Sequence, residues 1–181
     1  ETVDGQLDVL YFSPGFPVDT GEIRRVSKVE GVVARSWTLD RAADGIERSG
    51  GTLYVHGYFN QLDGVDVPHL ARILPDGAVD PSWNLHFDGY ATNMAIDSDN
   101  GIYLGGDMYI DGILYKVLKL SAVDAQVDFS WSHLVEGFVH CLAVGQEGHL
   151  LVGGDFNAVD NEPRAGFAAL GSSDAIFSNG F

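Results

Sequence analysis

The chain alternates short apolar runs with clusters of Gly, Asp, Asn and Pro. One phrase recurs about every fifty residues, at 51–62, 101–110 and 149–159: an apolar run, then glycine, then an aromatic residue or Met. Apolar runs of this length between turn residues predict β-strands joined by hairpins. No stretch of the sequence combines a sustained helical period of apolar residues with helix caps. The pattern therefore predicts an all-β fold.

Three further strand candidates accompany each copy of the phrase. One precedes it, one follows it, and one runs into an aromatic residue. The preceding strands are predicted at 42–48, 90–96 and 138–144, and the following strands at 22–27, 69–74, 115–120 and 166–170. The segment PDGAV at 75–79 predicts a tight turn, because Pro presets φ and Gly tolerates a positive φ.

Tryptophan marks the end of each period. Trp37, Trp83 and Trp131 follow one another at 46 and 48 residues, and Phe177 lies 46 residues further on. A fixed period of this size indicates a repeat array, and four strands per period are typical of a β-propeller blade. We predict a single repeat domain, a β-propeller-like array of about four four-stranded blades. The modules are predicted at roughly 1–41, 42–89, 90–137 and 138–181.

The recurring phrase predicts a strand that is buried on both faces. Its glycines would allow a close approach of the next element, or a bulge where a side chain would clash. Phe59, Met108 and Phe156, two residues beyond the glycines, should fill the space beneath. The equivalent tryptophans should be structural as well.

Composition restricts the partners more than the fold. Of 181 residues 45% are hydrophobic, enough for a core, and 26 acidic against 10 basic residues leave a net charge of −16. This charge argues against nucleic acid and anionic membranes as partners, because both need a basic surface. No apolar run approaches the ~18 residues of a membrane-inserted span. The single Cys141 cannot form an intramolecular disulfide.

The repeated segments resemble the delta-60 repeats of bacterial β-propellers. That pattern runs glycine-glycine-x-phenylalanine, an asparagine-glycine turn, an arginine-leucine strand, aspartate-glycine, and aspartate-x-x-phenylalanine. The matching residues are Gly57, Phe59, Arg72, Asp76, Gly77, Asp80, Trp83, Asp128, Trp131, Gly153, Gly154 and Phe156. The resemblance covers nearly the whole chain, most clearly 50–170. Tryptophan replaces the usual phenylalanine, and residues 121–126 lose the aspartate-glycine turn.

The resemblance implies a secreted or cell-surface repeat scaffold of a bacterium, with no catalytic residues to transfer. We therefore expect a non-enzymatic module that binds a protein or a glycan, without catalytic, cofactor-binding or metal-binding residues and without a cofactor. Two alternatives stay open. One is an enzyme, a hydrolase or lyase with a site built from loops at the propeller axis, and the other is a structural subunit of an extracellular assembly.

Two acidic residues, Asp80 and Asp128, each precede a tryptophan by three positions, with Arg72 and Lys119 across the hairpin. They form either an acidic binding ring or cross-strand charge pairs with turn caps. The structural interpretation is favoured, because a structural device recurs in each blade whereas a site usually occurs once.

His140 and Cys141 are a candidate base and nucleophile. Successive side chains of a strand point to opposite faces, so the two cannot share a proton unless the strand bulges. The histidines, at 56, 69, 86, 133, 140 and 149, lack the spacing of a zinc site. Asp97 and Asp99 resemble the start of a calcium loop, but Ile and Tyr follow where further oxygen ligands are needed. A plain turn is favoured there.

Four tyrosines are candidate exposed aromatic residues: Tyr58, Tyr90, Tyr109 and Tyr115. They form a sugar-stacking surface or cover the edges of blades, and the sequence leaves both interpretations open.

The first period has an incomplete strand pattern. Residues 4–12 align with 50–59, so the strand equivalent to 90–96 has no counterpart before them. An open sheet edge presents unpaired backbone groups that proteins normally cover. We therefore expect that the chain is part of a larger propeller or self-associates through its first blade.

Overall fold

The computed structural model describes residues 6–13, 20–145 and 148–171. Within these ranges the chain forms fifteen β-strands and no α-helix, and every strand pair is antiparallel. The prediction of an all-β, propeller-like array is confirmed. The described part of the chain contains no helix of the length and apolarity that crossing a membrane requires. The chain divides into two compact units, Glu1–Asn84 and Leu85–Phe181.

Two sheets make up the described part of the first unit. Its strands are β1 (Gln6–Ser13), β2 (Thr20–Ser27), β3 (Val33–Leu39), β4 (Ala43–Ser49), β5 (Thr52–Gly57), β6 (Gln61–Leu62), β7 (Val65–Asp66) and β8 (Leu70–Ile73). One sheet has the order β1-β2-β3-β6-β7 and the other β4-β5-β8. Among the described strands β1 pairs with β2 alone, whereas β5 is flanked on both sides.

The second unit also contains two sheets in its described part. Its strands are β9 (Asp88–Ile96), β10 (Ile102–Ile110), β11 (Ile113–Leu120), β12 (Val135–Val144), β13 (Leu150–Val159), β14 (Glu162–Pro163) and β15 (Phe167–Leu170). One sheet has the order β11-β10-β9. The other has the order β12-β13-β14, with β15 also paired to β13.

The recurring phrase is the central strand of three sheets, β5, β10 and β13. In β5 and β10 consecutive residues are buried, as expected for strands covered on both faces. In β13 the expectation is wrong, because buried Leu150 and Val152 alternate with half-buried Leu151 and Gly153. Phe59, Met108 and Phe156 are at most 2% exposed, which confirms that they fill the interior. Burial of such side chains contributes about 1.5–3 kcal/mol each to folding.

The three tryptophans are buried, as predicted. Trp37 and Trp83 are fully buried and Trp131 is 6% exposed. The ring of Trp83 meets that of Tyr54 edge-on at 5.1 Å, and Trp131 meets Tyr103 at 5.0 Å, an arrangement that aromatic pairs favour. Because Tyr54 and Tyr103 occupy equivalent positions in β5 and β10, the same packing unit is built twice.

Of the three periods whose fourth strand lies within the described residues, the first alone forms that strand in full. Trp37 lies in β3, but the segments before Trp83 and Trp131 pair only through single bridges at Val79 and Val127. The prediction of a complete fourth strand is wrong for these two periods. The reason is the aspartate at the third position before the tryptophan, which bends the chain in a turn and which the first period replaces with Ala34.

A bulge recurs in the first strand of three sheets. The pairing shifts by one residue at Asp44 in β4, at Thr92 in β9 and at His140 in β12. A glycine stands opposite each bulge, at 57, 106 and 154, and a Cβ on it would lie 2.4, 2.4 or 2.0 Å from a backbone atom of the bulged strand. The predicted close approach at the glycines is confirmed, and the bulge lies in the neighbouring strand.

The hairpin tips after the central strands use one turn. Asp63 and Gly64 have φ values of 50° and 76°, and Asp111 and Gly112 have 51° and 77°. Two successive positive φ values match a type I′ turn, whose twist suits the flanking strands. The predicted turn at 75–79 is confirmed too, since Gly77 has φ 88° and the amide of Leu74 donates to the carbonyl of Ala78. Phe177 and the segment 174–181 lie outside the described residues.

Candidate binding cleft

The second unit contains an open cleft of about 310 Å³ between its two sheets. One wall belongs to β9 and β10 and the other to β12. The lining residues are Tyr90, Thr92, Asn93, Gly106, Asp107, Phe138, Val139 and His140. Ligand pockets begin at about this volume.

The walls of the cleft are built from equivalent positions of the repeat. Tyr90 in β9 corresponds to Phe138 in β12, and Thr92 corresponds to His140. All four side chains line the cleft, so each strand contributes an aromatic ring and a polar side chain to it. Tyr90 is 44% exposed and Phe138 is 59% exposed.

The bulge at Thr92 adds a further polar side chain to the floor. Because the strand carries an extra residue here, Asn93 also reaches the cleft, and its Nδ2 donates to Thr92 Oγ1 at 2.8 Å. Thr92 Oγ1 in turn lies 3.3 Å from the carbonyl oxygen of Gly105, to which it donates. The two side chains therefore hold each other in place.

The charged groups around the cleft are paired. Lys116 Nζ donates to Asp107 Oδ1 at 2.6 Å and lies 4.9 Å from the centre of the Phe138 ring. His140 Nε2 lies 2.9 Å from Asp155 Oδ2. A cation over an aromatic face contributes up to about 1 kcal/mol at an exposed site, which favours one orientation of the ring.

The bulge also changes the argument about His140 and Cys141. Strict alternation of side chains does not hold at this point of β12, and at the equivalent point of β9 the adjacent Thr92 and Asn93 side chains are hydrogen-bonded. The strand thus bulges at His140, which is the exception under which the alternation argument does not separate the two residues. The observed partner of the His140 ring is Asp155, and a Cβ on Gly153 would lie 2.6 Å from the Cys141 sulfur.

A second cleft, of about 270 Å³, lies in the first unit between β1 and the β4–β5 hairpin. Its lining includes Asp8, Glu47 and Arg48. Asp8 is buried and paired with both Arg25 and Arg48, so its charge is compensated. Burial raises the pKa of Glu47. The charged residues at this cleft therefore belong to an ion-pair network that joins two sheets.

The aspartates that precede Trp83 and Trp131 cap turns of the backbone. The guanidinium of Arg72 is paired with Asp80, whose Oδ1 accepts from the backbone amide of Ser82 at 2.9 Å. Asp128 accepts from the amide of Ser130 at 3.1 Å in the same way. For Asp80 the predicted charge pair with a turn cap is confirmed. For Asp128 the turn cap is confirmed, while the Lys119 ammonium lies 5.4 Å from the centre of the Tyr103 ring.

Asp80 should make stability sensitive to acid. Burial opposes its ionisation, but hydrogen bonds from Ser82 and Arg72 outweigh that effect and lower its pKa from 3.8 to about 2. A carboxyl whose pKa is lower in the folded state contributes stability that is present above about pH 4 and lost as pH falls towards 2. We expect urea unfolding to show that the wild type loses up to about 2 kcal/mol more than Asp80→Asn between pH 6 and pH 2. Equal losses in the two proteins would contradict this explanation.

The carboxylate of Asp97 is used within its own hairpin. Its Oδ1 accepts from the amides of Asp99 and Gly101 at 2.9 and 2.6 Å, and its Oδ2 accepts from the Tyr103 hydroxyl at 2.9 Å. Burial and the bond to Asp97 raise the pKa of Tyr103. Within the described residues no group of three or more His, Cys, Asp or Glu side chains could hold a metal ion. The favoured turn is confirmed by these bonds.

Calcium should therefore have no effect on stability. Both oxygens of the Asp97 carboxylate accept hydrogen bonds from the protein, so the turn is held without help from a cation. We expect the melting temperature in calcium and in EDTA to agree within about 2 °C. A larger drop in EDTA that calcium restores would show that the loop binds the ion.

The histidines are distributed among separate structural contacts. His133 Nδ1 lies 2.7 Å from Asp160 Oδ2, and the His133 ring packs edge-on against Trp131 at 4.8 Å. His69 has φ 67°, and its Nδ1 lies 3.3 Å from the carbonyl oxygen of Gly57. His56 is buried. These contacts agree with the expectation that single histidines serve the structure.

The four tyrosines have different environments. The ring of Tyr58 lies under Arg41, at 5.3 Å, and Tyr115 packs against Phe129 at 6.1 Å. Tyr109 is exposed on β10. Tyr90 alone of the four lines the cleft. Sequence reasoning missed Phe138, Asn93 and Asp107, although the equivalence of Tyr90 and Phe138 in the repeat was a usable signal.

Residues 50–82 match the model of a β-propeller family. Its description is "Domain of unknown function (DUF5122) beta-propeller". The matched stretch runs from the turn before β5 to the turn before Trp83 and lies within one period of the repeat. No curated protein and no solved structure matches the chain. The match supports a β-propeller repeat family and names no ligand or activity.

Proposed function

We propose that the chain is a non-enzymatic binding module of a secreted or cell-surface bacterial β-propeller of the delta-60 repeat type. Its partner is a protein or a glycan, and the recognition site is the cleft between β9, β10 and β12. One observation carries the proposal: two exposed aromatic rings and several polar side chains line the same cleft of ligand size. The resemblance to exported scaffolds supports the location.

Exposure of the two rings supports a role in binding. An aromatic side chain left in water forgoes about 1.5–3 kcal/mol of burial free energy, and exposed apolar surface rimmed by polar groups marks interaction sites. Tyr90 and Phe138 come from equivalent positions of successive sheets, so the repeat itself produces a site with two walls.

Binding is favoured over hydrolysis by the state of the carboxylates. Asp107 is held by the Lys116 ammonium, and Asp155 lies against the His140 ring. These contacts hold one oxygen of each carboxylate in place and leave the other oxygen to accept a hydrogen bond from a ligand. The arrangement suits orientation of a ligand better than proton transfer.

A pair of arrays tests the proposal. The labelled 181-residue chain is applied to immobilised glycans and to immobilised extracellular proteins, together with the variants Phe138→Ala and Phe129→Ala. Phe129 is the matched control, because it is 58% exposed in the same unit and does not line the cleft. We expect Phe138→Ala to weaken binding to the retained partner about fivefold or more, and Phe129→Ala to leave it unchanged.

Two results would contradict the proposal. Equal binding by all three proteins would show that the cleft is not the recognition site. Absence of binding on both arrays would contradict the proposed binding function itself. Retained partners are also incubated with the wild type and examined by mass spectrometry. Release of a cleaved product would favour the hydrolase or lyase alternative.

A further inference from the structure

We infer that the cleft between β9, β10 and β12 takes a neutral saccharide, with the sugar ring against Tyr90 and Phe138. This inference rests on the proposed function and specifies its ligand. It is carried by three features of the cleft: the two aromatic rings, the fixed polar groups between them and the compensation of charge around them.

The aromatic rings match the apolar face of a sugar. A pyranose presents C–H groups on its faces and hydroxyl groups around its rim, so it binds where flat apolar surfaces stand beside hydrogen-bonding groups. Tyr90 and Phe138 supply rigid surfaces with few rotatable bonds. The Lys116 ammonium, 4.9 Å from the centre of the Phe138 ring, restricts the position of that ring further.

The polar groups between the rings are oriented before any ligand arrives. Asn93 uses one amide hydrogen on Thr92, and its side chain has a second amide hydrogen and a carbonyl oxygen. Asp107 uses Oδ1 on Lys116, and His140 uses Nε2 on Asp155. Each residue is thus held in place through one atom and has a second polar atom that can hydrogen-bond a hydroxyl group of the sugar. Side chains that are already ordered lower the entropic cost of binding.

Charge selects neutral sugars over acidic ones. Asp107 lines the cleft and is paired with the Lys116 ammonium, and the His140 ring lies against Asp155. The chain as a whole carries a net charge of −16, which repels anions. A uronate or sialate carboxylate would therefore lack a free cation to bind.

A protein partner fits the cleft less well. Stable protein interfaces bury about 800 Å² on each partner around an apolar centre. The cleft instead combines two exposed aromatic rings with the polar side chains of Thr92 and Asn93 in a volume of about 310 Å³. A sugar ring of that size can contact both the aromatic rings and the polar side chains.

Nuclear magnetic resonance titration of the full chain tests the inference. The probes are mannose, galactose, N-acetylglucosamine, lactose and cellobiose, with glucuronate as the acidic comparison. We expect at least one neutral sugar to shift the Asn93 side-chain amide and the Phe138 ring signals. Phe138→Ala and Tyr90→Ala should each weaken that binding about fivefold or more, Phe129→Ala should not, and glucuronate should bind about tenfold more weakly.

The outcomes separate this inference from the proposed function. Absence of cleft shifts with every neutral sugar up to about 100 mM overturns the inference. If the arrays then show a protein partner that depends on Phe138, the binding function stands and only the ligand class is wrong. Shifts that are equal in wild type and Phe138→Ala also overturn the inference, because they place the sugar elsewhere.

Discussion

Replacement of Trp83 by alanine is expected to lower the free energy of unfolding by about 3–5 kcal/mol, the cost of a large cavity in a packed core. Trp83 is fully buried, meets the Tyr54 ring at 5.1 Å and lies 5.6 Å from the Arg72 guanidinium. Its removal therefore opens a cavity and also loosens the ion pair of the adjoining turn. Urea unfolding followed by circular dichroism measures the loss without relying on tryptophan fluorescence.

Two further variants test the reason for this loss. Trp83→Phe keeps most of the ring and should cost less than Trp83→Ala, while Phe129→Ala, at an exposed ring, should change stability by less than about 1 kcal/mol. A loss below about 1 kcal/mol for Trp83→Ala would mean that the side chain is exposed in solution. The burial that we assign to the repeated tryptophan would then be wrong.

Replacement of Gly106 by alanine should have an effect of similar size for a different reason. A Cβ at this position would lie 2.4 Å from the carbonyl oxygen of Tyr90, and φ is 153°. Backbone atoms of a paired strand cannot retreat as a flexible side chain can. Overpacking and backbone strain each cost about 1–3 kcal/mol, so we expect a loss of about 2–5 kcal/mol.

Gly112→Ala is the matched control for Gly106→Ala. Gly112 has φ 77° but no atom within 4 Å of its missing Cβ, so alanine there meets only the conformational cost of about 1–2 kcal/mol. Gly106→Ala should therefore be clearly the more destabilising in urea unfolding. Equal losses would show that the close approach opposite the bulge has no energetic importance.

The central strands were predictable because two signals coincide in them. Their residues are apolar at consecutive positions, and glycine ends each run. The length of the apolar run and the glycine that follows it both indicate a buried strand. The burial of Phe59, Met108 and the tryptophans follows from their recurrence, since a repeat preserves the packing of its core. The type I′ turns were also readable, from Asp-Gly pairs between apolar segments.

The short fourth strands were less predictable, because a turn and a strand compete for the same residues. Asp80 and Asp128 bond to the amides two residues on, which stabilises a turn where the apolar pattern suggests a strand. In the first period Ala34 cannot make this bond, and β3 continues to Leu39. The aspartate was interpreted correctly as a turn cap, but the strand was still expected to continue past it to the tryptophan.

The cleft depends on long-range geometry that no local pattern contains. The bulges at Thr92 and His140 alter which side chains share a face, and a bulge leaves only a weak trace in sequence, the glycine on the neighbouring strand. Tyr90 was identified as an exposed aromatic residue, but Phe138 was counted among the strand residues. The pairing of the two across a cleft requires the packing of one sheet on the next.

Hydrogen exchange resolved by strand tests most directly the claim that each repeated phrase is the central strand of its own sheet. Amides of β5, β10 and β13 bond to a strand on each side, so their exchange requires the larger opening events. We predict that these three strands exchange more slowly than β9 and β12, which pair with one described strand each, and that the hairpin tips at 63–64 and 111–112 exchange fastest. Exchange of the three central strands as fast as that of the hairpin tips would contradict the architecture.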